Sequence, residues 1–245
     1  MKYKLDSIMF ELTRFCNMEC PHCIRGEMQK GRISKKTITK VLESIGDYIP
    51  VLMFTGGEPA LAVDLIEYTL SECQRLNISV GNFWMATNGM IHSKKFFNAI
   101  RSWLKYTSDS EINGIRISID PYHDKINSYY FREFEEELQG EGININFEYS
   151  GAPKDTKNLI AGGRAADSGW GNRCIEHSIH LYTEDDMRIE GEVYINIKGD
   201  IISTCDISYD EEDSPESDFN LGNIHEMDID LMYDEFFKRH PERID

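Results

Sequence analysis

Apolar positions along this chain recur in two rhythms. Short apolar or alternating runs stand at residues 7–13 (SIMFELT), 50–54 (PVLMF), 79–86 (SVGNFWMA), 114–119 (GIRISI) and 143–148 (ININFE), and each predicts a β-strand. Stretches with helical spacing lie between them. Ser34 can cap a helix through KKTITKVLESIG that Gly46 ends, and further helices are expected over about 61–76, 93–106 and 125–139. Strand and helix alternate at least four times, the pattern of a parallel sheet with helices outside it. The tail reads differently. Residues 193–197 and 201–204 flank Lys198-Gly199-Asp200, a hairpin signal. Residues 209–218 (YDEEDSPESD) read as an acidic loop, and a last helix is expected over about 226–239.

Composition narrows the class. No window approaches the 18 or more apolar residues of a membrane span, and the N-terminus lacks the apolar core of a signal peptide. A protein of the cytoplasm, with no membrane partner, is expected. The net charge of −17 argues against nucleic acid, whose binders carry a basic face. The charge is uneven. Residues 1–40 hold nine Lys/Arg against four Asp/Glu, whereas residues 206–245 hold three against fourteen. The basic stretch, with Arg14, Arg25, Lys30, Arg32, Lys35 and Lys36, is a candidate rim for an acidic redox partner.

Three of the six cysteines, Cys16, Cys20 and Cys23, fall in FCNMECPHC just after the first strand. In a reducing compartment such a cluster points to metal rather than disulfides. Structural zinc wants four protein ligands, and only an awkward local bend would make His22 the fourth. A [4Fe–4S] cube held by three cysteines keeps one iron open for a ligand. Cys73, in LIEYTLSECQRL, reads as a packed small apolar residue.

The C-x3-C-x2-C spacing resembles that of the radical S-adenosylmethionine (radical SAM) superfamily. Gly56-Gly57-Glu58-Pro59 after the second strand, Thr87-Asn88-Gly89 after the third, and Ser118 and Asp120 at the end of the fourth follow in that family's order. The resemblance covers roughly residues 7–165. It implies an α/β fold, a partial (β/α)6 barrel over residues 1–165, with a small C-terminal β-hairpin plus helix appendage over residues 166–245. A full eight-unit barrel needs about 250 residues, which leaves no chain for a tail. The resemblance further implies one [4Fe–4S] cluster on Cys16, Cys20 and Cys23, with S-adenosylmethionine on the fourth iron. His22, Gly56, Gly57, Glu58, Pro59, Asn88, Ser118 and Asp120 would bind that cofactor, the two glycines by letting the backbone approach it. A flavodoxin- or ferredoxin-like donor would reduce the cluster. Reductive cleavage of the cofactor would yield a 5′-deoxyadenosyl radical that takes hydrogen from a substrate.

Beyond residue 160 the chain resembles the SPASM or twitch extension of that family. The matches are Gly163-Arg164-Ala165, Arg173-Cys174, the hairpin leading to Cys205, and Asn220-Leu221-Gly222-Asn223-Ile224. Arg164 is a candidate for the cofactor carboxylate. The family pattern supplies four or more cysteines here and this chain has two, so a clusterless domain with Cys174 and Cys205 in its core is expected. Either is a candidate thiol near the substrate. A second site completed by His177, His180, Asp206 or His225 is the alternative. The resemblance tilts the substrate towards a peptide, with a small metabolite open; a non-catalytic iron–sulfur interaction module is the remaining reading. With its first cysteine at residue 16, the chain is expected to lack an N-terminal leader-gripping domain.

Overall fold

The computed structural model describes residues 2–109, 111–123, 129–183 and 187–245. Apolar side chains of five parallel strands build its centre: β1 (Lys4–Glu11), β2 (Tyr48–Thr55), β3 (Ser79–Thr87), β4 (Gly114–Ser118) and β5 (Asn146–Ser150). Phe10, Leu52, Phe54, Phe83, Ile115 and Ile117 are among their fully enclosed residues. Helices α1 (Lys35–Ser44), α2 (Val63–Leu76), α3 (Lys94–Tyr106) and α4 (Tyr129–Gly140) connect successive strands. Trp103 of α3 stacks on Phe83 at 5.6 Å and donates its indole N–H to the Ile66 carbonyl of α2, which ties helix layer to sheet.

The expected helix starts are met by side-chain caps. Ser34 accepts from the Thr37 amide and Ser93 from the Phe96 amide. Cys73 is fully buried in α2, where burial pushes its thiol up to about 12. The fifth strand starts three residues later than its apolar run. Gly142 takes φ +73° and the Ile143 amide bonds back to the Leu138 carbonyl, so these residues serve the end of α4. Part of the helix expected over 125–139 lies outside the described residues.

After the short helix α5 (Gly163–Asp167) come β6 (His180–Tyr182), β7 (Arg188–Ile195), β8 (Asp200–Ile202), α6 (Tyr209–Asp213), β9 (Asn220–Asn223) and α7 (Ile229–Arg239). The expected hairpin forms between β7 and β8. It joins the main sheet, because β7 pairs in parallel with β1. The order is β5-β4-β3-β2-β1-β7-β8-β9, with β6 antiparallel on β7. The fold is thus α/β with a mostly parallel sheet, consistent with a partial (β/α) barrel, and the sheet does not close. Its sixth parallel strand, β7, lies beside β1 on the side away from β5, with β8 and β9 beyond it. No helix among the described residues is long and apolar enough to cross a membrane.

Two expectations fail here for one reason. The acidic segment at 209–218 is not simply a loop: Ser208 caps α6, and Glu212 within it is completely buried. Arg14 and Arg25 do not belong to an exposed basic rim. Arg14 is 1% exposed and spends all five N–H donors on Glu11, Gln29, Glu212 and Asp213. Arg25 donates to the Cys205 and Ile207 carbonyls, Glu11, Tyr194 and Glu212. The Tyr209 ring lies between the two guanidinium groups, at 4.5 and 4.6 Å. Charges of opposite sign far apart in sequence have therefore neutralised each other inside the protein. Lys30, Arg32, Lys35 and Lys36 remain exposed.

Removing one partner of such a buried network leaves uncompensated charge, which costs about 3–5 kcal/mol. Glu212→Ala is expected to lower unfolding stability by about that amount in urea denaturation. Asp210→Ala, exposed on the same helix, should change it by less than about 0.5 kcal/mol. Equal effects of the two substitutions would show that the network is not what secures α6.

Candidate functional site

The C-terminal ends of the parallel strands carry the site, the edge where α/β folds gather their ligands. The chain leaving β1 makes a hoop whose base is closed by Arg14 N to Gly31 O (3.0 Å) and Ile33 N to Leu12 O (3.1 Å). Cys16, Cys20 and Cys23 lie inside this hoop. Local turns shape it, with the Cys23 amide on the Cys20 carbonyl and the Gly26 amide on the Cys23 carbonyl.

The loop after β2 docks directly on the hoop. Gly57 N donates to Thr13 O (2.7 Å) and Glu58 N to Phe15 O (2.8 Å). A Cβ on Gly56 would lie 2.3 Å from Thr13 O, and one on Gly57 would lie 2.3 Å from Phe15 O. The missing Cβ of each glycine therefore faces protein backbone. Close approach is what these glycines permit, as the sequence implied, but the approaching partner in this structure is the cysteine hoop.

Glu58 is fully buried. Its Oε1 accepts from Ala60 N and Thr87 Oγ1, and its Oε2 from Asn88 N at 2.8 Å. Burial raises its pKa, against the pull of these three hydrogen bonds. The carboxylate thus straps the β2 loop to the β3 loop. Asn88 continues the strap: its Nδ2 donates to Asn17 Oδ1 (2.9 Å) and faces Cys16 Sγ at 3.8 Å. Pro59 opens the short 3-10 turn Pro59–Ala62.

Asp120 organises the loop after β4. Oδ1 accepts from the Tyr122 and His123 amides, and Oδ2 accepts from Ala152 N at 2.8 Å. Nδ1 of His123 lies 2.8 Å and Nε2 of His22 3.7 Å from Oδ2. Burial alone would raise the Asp120 pKa, but His123 and the amides outweigh it and the net shift is downward. Burial lowers the pKa of His22 despite Asp120, and its buried Nδ1 has no hydrogen-bond partner.

The segment 162–164 closes the far side of the hoop. Arg164 N donates to Cys23 O, and a Cβ on Gly163 (φ +50°) would lie 2.4 Å from Gly26 N. The Arg164 guanidinium, with its Nε buried and unpartnered, flanks a small cleft of about 50 Å³ shared with the three cysteines, Gly56 and Gly57.

A larger cavity of about 360 Å³ opens above. Cys16, Cys20, His22, Cys23, Gly56, Gly57, Glu58, Asn88 and Ser118 all line it. Pro59, Asp120, Cys174 and Cys205 are not among its described lining residues. Cys174 is exposed, so it is not the core residue expected. Cys205 is half-buried beside a small cluster with Tyr194 and Ile207, its thiol 3.1 Å from Glu192 Oε2. Neither joins a three-residue cluster of metal-ligand side chains among the described residues. Sequence reasoning missed the outer wall, made by Pro153, Asn158, Leu159, Ile160, Arg173 and Asp206. These residues follow β5 or lie in the C-terminal region; Arg173 and Asp206 stood out in the sequence, but nothing local placed them on this wall, and no motif marks the other four.

The cysteine spacing has chemical content. Tetrahedral zinc with about 2.3 Å bonds needs thiolate sulfurs roughly 3.8 Å apart. Cys16, Cys20 and Cys23 do not come within 4.8 Å of one another as a set. At least one pair of their sulfurs is therefore set wider than a single tetrahedral zinc requires. Burial first, and the neighbouring thiols second, push the metal-free Cys20 up to about 12. A cationic centre would reverse this by stabilising thiolates.

A model of the Radical SAM superfamily matches residues 10–140 of this chain. Fe-coproporphyrin III synthase of Methanosarcina barkeri is 30% identical over 131 residues, covering 49% of this chain and 30% of that protein. The chain therefore matches less than a third of this curated relative's length. Among solved structures, anSMEcpe with bound AdoMet superposes with a TM-score of 0.57 at 13% identity, covering 97% of this chain and 82% of that one. Streptococcus suis SuiB bound to precursor peptide SuiA superposes at 0.50 and 14%, covering 97% and 66%. At these identities the two structures are likenesses of fold.

The hoop contacts predict the effect of a single methyl group. Gly57→Ala should cost about 1–3 kcal/mol by overpacking, and should speed thiol labelling of Cys16, Cys20 and Cys23 in the metal-free protein. Gly140→Ala, with nothing within 4 Å, should be neutral or stabilising by up to about 1 kcal/mol. Similar stabilities and labelling rates for the two variants would refute the docking argument.

Proposed function

This chain belongs to the Radical SAM superfamily, whose members use a [4Fe–4S] cluster and S-adenosylmethionine, and on that premise we propose that it is an enzyme abstracting hydrogen from a substrate after reductive cleavage of S-adenosylmethionine. Cys16, Cys20 and Cys23 would hold three irons of the cluster and would leave the fourth for the methionyl end of the cofactor. The carrying observation is that the three thiols share a cavity with the Gly56-Gly57-Glu58 loop at the sheet's C-terminal edge. The bound pair supplies one-electron cleavage of the sulfonium and hydrogen abstraction from an unactivated carbon.

The protein's part is to bind, orient and exclude water. The unpartnered Arg164 Nε lies beside the cysteine cleft, and we assign its guanidinium to the methionyl carboxylate. Oε2 of Glu58, which accepts only the Asn88 amide among the described residues, keeps acceptor capacity for the methionyl ammonium. His22 and Ser118 line the side of the cavity given to adenine and ribose. Asp120 acts through His22 and His123, which it orients. The exposed Lys30, Arg32, Lys35 and Lys36 support docking of an acidic flavodoxin- or ferredoxin-like donor in the reducing cytoplasm.

We assign a peptide as substrate, favouring a cationic one because the net charge is −17. The fold likeness to SuiB, solved with its precursor peptide, supports this class. A second reading, a heme-type tetrapyrrole, rests on the sequence match to Fe-coproporphyrin III synthase. Arg173 is the only Lys or Arg among the described lining residues of the large cavity, a sparse set for a ligand with several carboxylates.

Anaerobically reconstituted protein should bind about four irons and four sulfides per chain, a [4Fe–4S] complement. The Cys16/Cys20/Cys23 triple alanine variant should fall to near zero. With S-adenosylmethionine and dithionite, the wild type alone should form 5′-deoxyadenosine. Stimulation by a cationic peptide pool supports the first substrate reading, and stimulation by coproporphyrin the second. Four irons retained by the triple variant, or no cofactor cleavage by the loaded wild type, would overturn the assignment.

A further inference from the structure

Three side chains of the C-terminal region meet far from the cysteine hoop in sequence and in role. His177 precedes β6, Asp218 precedes β9, and His240 ends α7. Their ligand atoms all lie within 4.8 Å of one another. Nε2 of His177 is 3.7 Å and Nε2 of His240 is 3.4 Å from the same oxygen, Asp218 Oδ2. A tetrahedral ion with bonds of about 2.0–2.1 Å sets its ligand atoms roughly 3.3–3.4 Å apart. The two separations from Asp218 Oδ2 are therefore near what such an ion requires, and the third lies within 4.8 Å.

The other ring nitrogens are engaged as metal-bound imidazoles require. His177 Nδ1 lies 2.6 Å from Ser203 Oγ, and His240 Nδ1 lies 3.3 Å from Glu242 Oε1. These contacts aim the Nε2 atoms inward and fix the rings, the arrangement that outer partners give metal-bound histidines. The rings are held a second time by packing. His177 sits against Phe219 and Phe236, and His240 against Phe236 at 4.5 Å. Nε2 of His240 is buried and has no hydrogen-bond partner.

Nearby cations are already held. Arg239 Nη1 pairs with Asp218 Oδ1 at 3.1 Å and leaves Oδ2 free of it. Arg243 donates to the His177 carbonyl and contacts His180 Nε2.

We propose that His177, Asp218 and His240 form a binding site for a zinc-class divalent cation, with a water completing the tetrahedron. Imidazole and carboxylate donors without thiolate suit zinc or its first-row neighbours rather than an iron–sulfur centre. The ion would pin the strand β6 entry, the strand β9 entry and the end of α7 to one point. It is separate from the Cys16, Cys20 and Cys23 site and does not depend on the function assigned there.

The test uses untagged protein with its iron–sulfur cluster reconstituted, so that the hoop cysteines are occupied. Calorimetric titration with Zn²⁺ is expected to show one site, and Zn²⁺ should raise Tm. His240→Phe, which keeps an aromatic ring against Phe236, and Asp218→Asn should both lose the binding and the Tm rise while iron content stays unchanged. Ser203→Ala, which removes the outer partner of His177, should weaken binding by about 10–100-fold. Co²⁺ in place of Zn²⁺ should give d–d absorption without thiolate charge transfer. The proposal fails if the wild type binds no Zn²⁺, if both ligand variants keep the stoichiometry, or if Co²⁺ shows thiolate charge transfer.

Discussion

Two guanidinium groups buried on shared carboxylates hold this structure's working end in place. Arg14 and Arg25 bracket the three cysteines, and both bind Glu11 of β1 and Glu212 of α6. An isolated charge at this depth would be prohibitive. Each of these charges is tolerable only because the others are present and hydrogen-bonded. The cysteine hoop, the first strand and the C-terminal helix α6 are therefore one electrostatic unit. Burial alone would push the Glu11 carboxyl up, and the Glu212 charge adds to that push. The two arginines and the Ile197 amide oppose that push, and the net shift stays upward.

The same constraint explains why the C-terminal region lies where it does. β7 pairs along nearly the whole of β1, and Arg25 reaches the carbonyls of Cys205 and Ile207 just beyond β8. Segment 162–164 completes the enclosure from the other side through the Cys23 carbonyl. The hoop is held by backbone hydrogen bonds from the β2 loop and segment 162–164, and by side chains from α6. Such a loop presents its thiols in a fixed geometry before any ligand arrives, which lowers the cost of ordering them on binding.

In and around the cavity and the small cleft, hydrogen bonds divide the polar groups into two sets. Asn88 and Asp120 spend most of their capacity on neighbouring loops, which makes them parts of the frame. Arg164 and His22 each keep a buried nitrogen without a partner, and so face the ligand space with unused capacity. The outer wall of Pro153, Asn158, Leu159 and Ile160, with Arg173 and Asp206, is built from segments outside the parallel strands. In α/β folds that variable rim, rather than the sheet, distinguishes one chemistry from another.

Much was legible in the sequence because it is encoded locally. The alternation of apolar runs and helical spacing gave the parallel sheet, since side-chain period follows directly from backbone geometry. Ser34 marked a helix start because a cap bonds within three residues. Cys16, Cys20, Cys23 and the Gly56-Gly57-Glu58-Pro59 run stood out because their chemistry is compressed into short, spaced motifs. What failed was long-range. Arg14 and Arg25 read as surface cations and Glu212 as part of a solvated acidic loop, because charge in a sequence carries no sign of its partner. Only the tertiary structure could pair residues 198 and 187 positions apart and bury them together. It alone also brought His177, Asp218 and His240 to one point and put Arg173 on the cavity wall. Those juxtapositions depend on where β7 joins the sheet, a choice made by the packing of the whole core and by no local pattern.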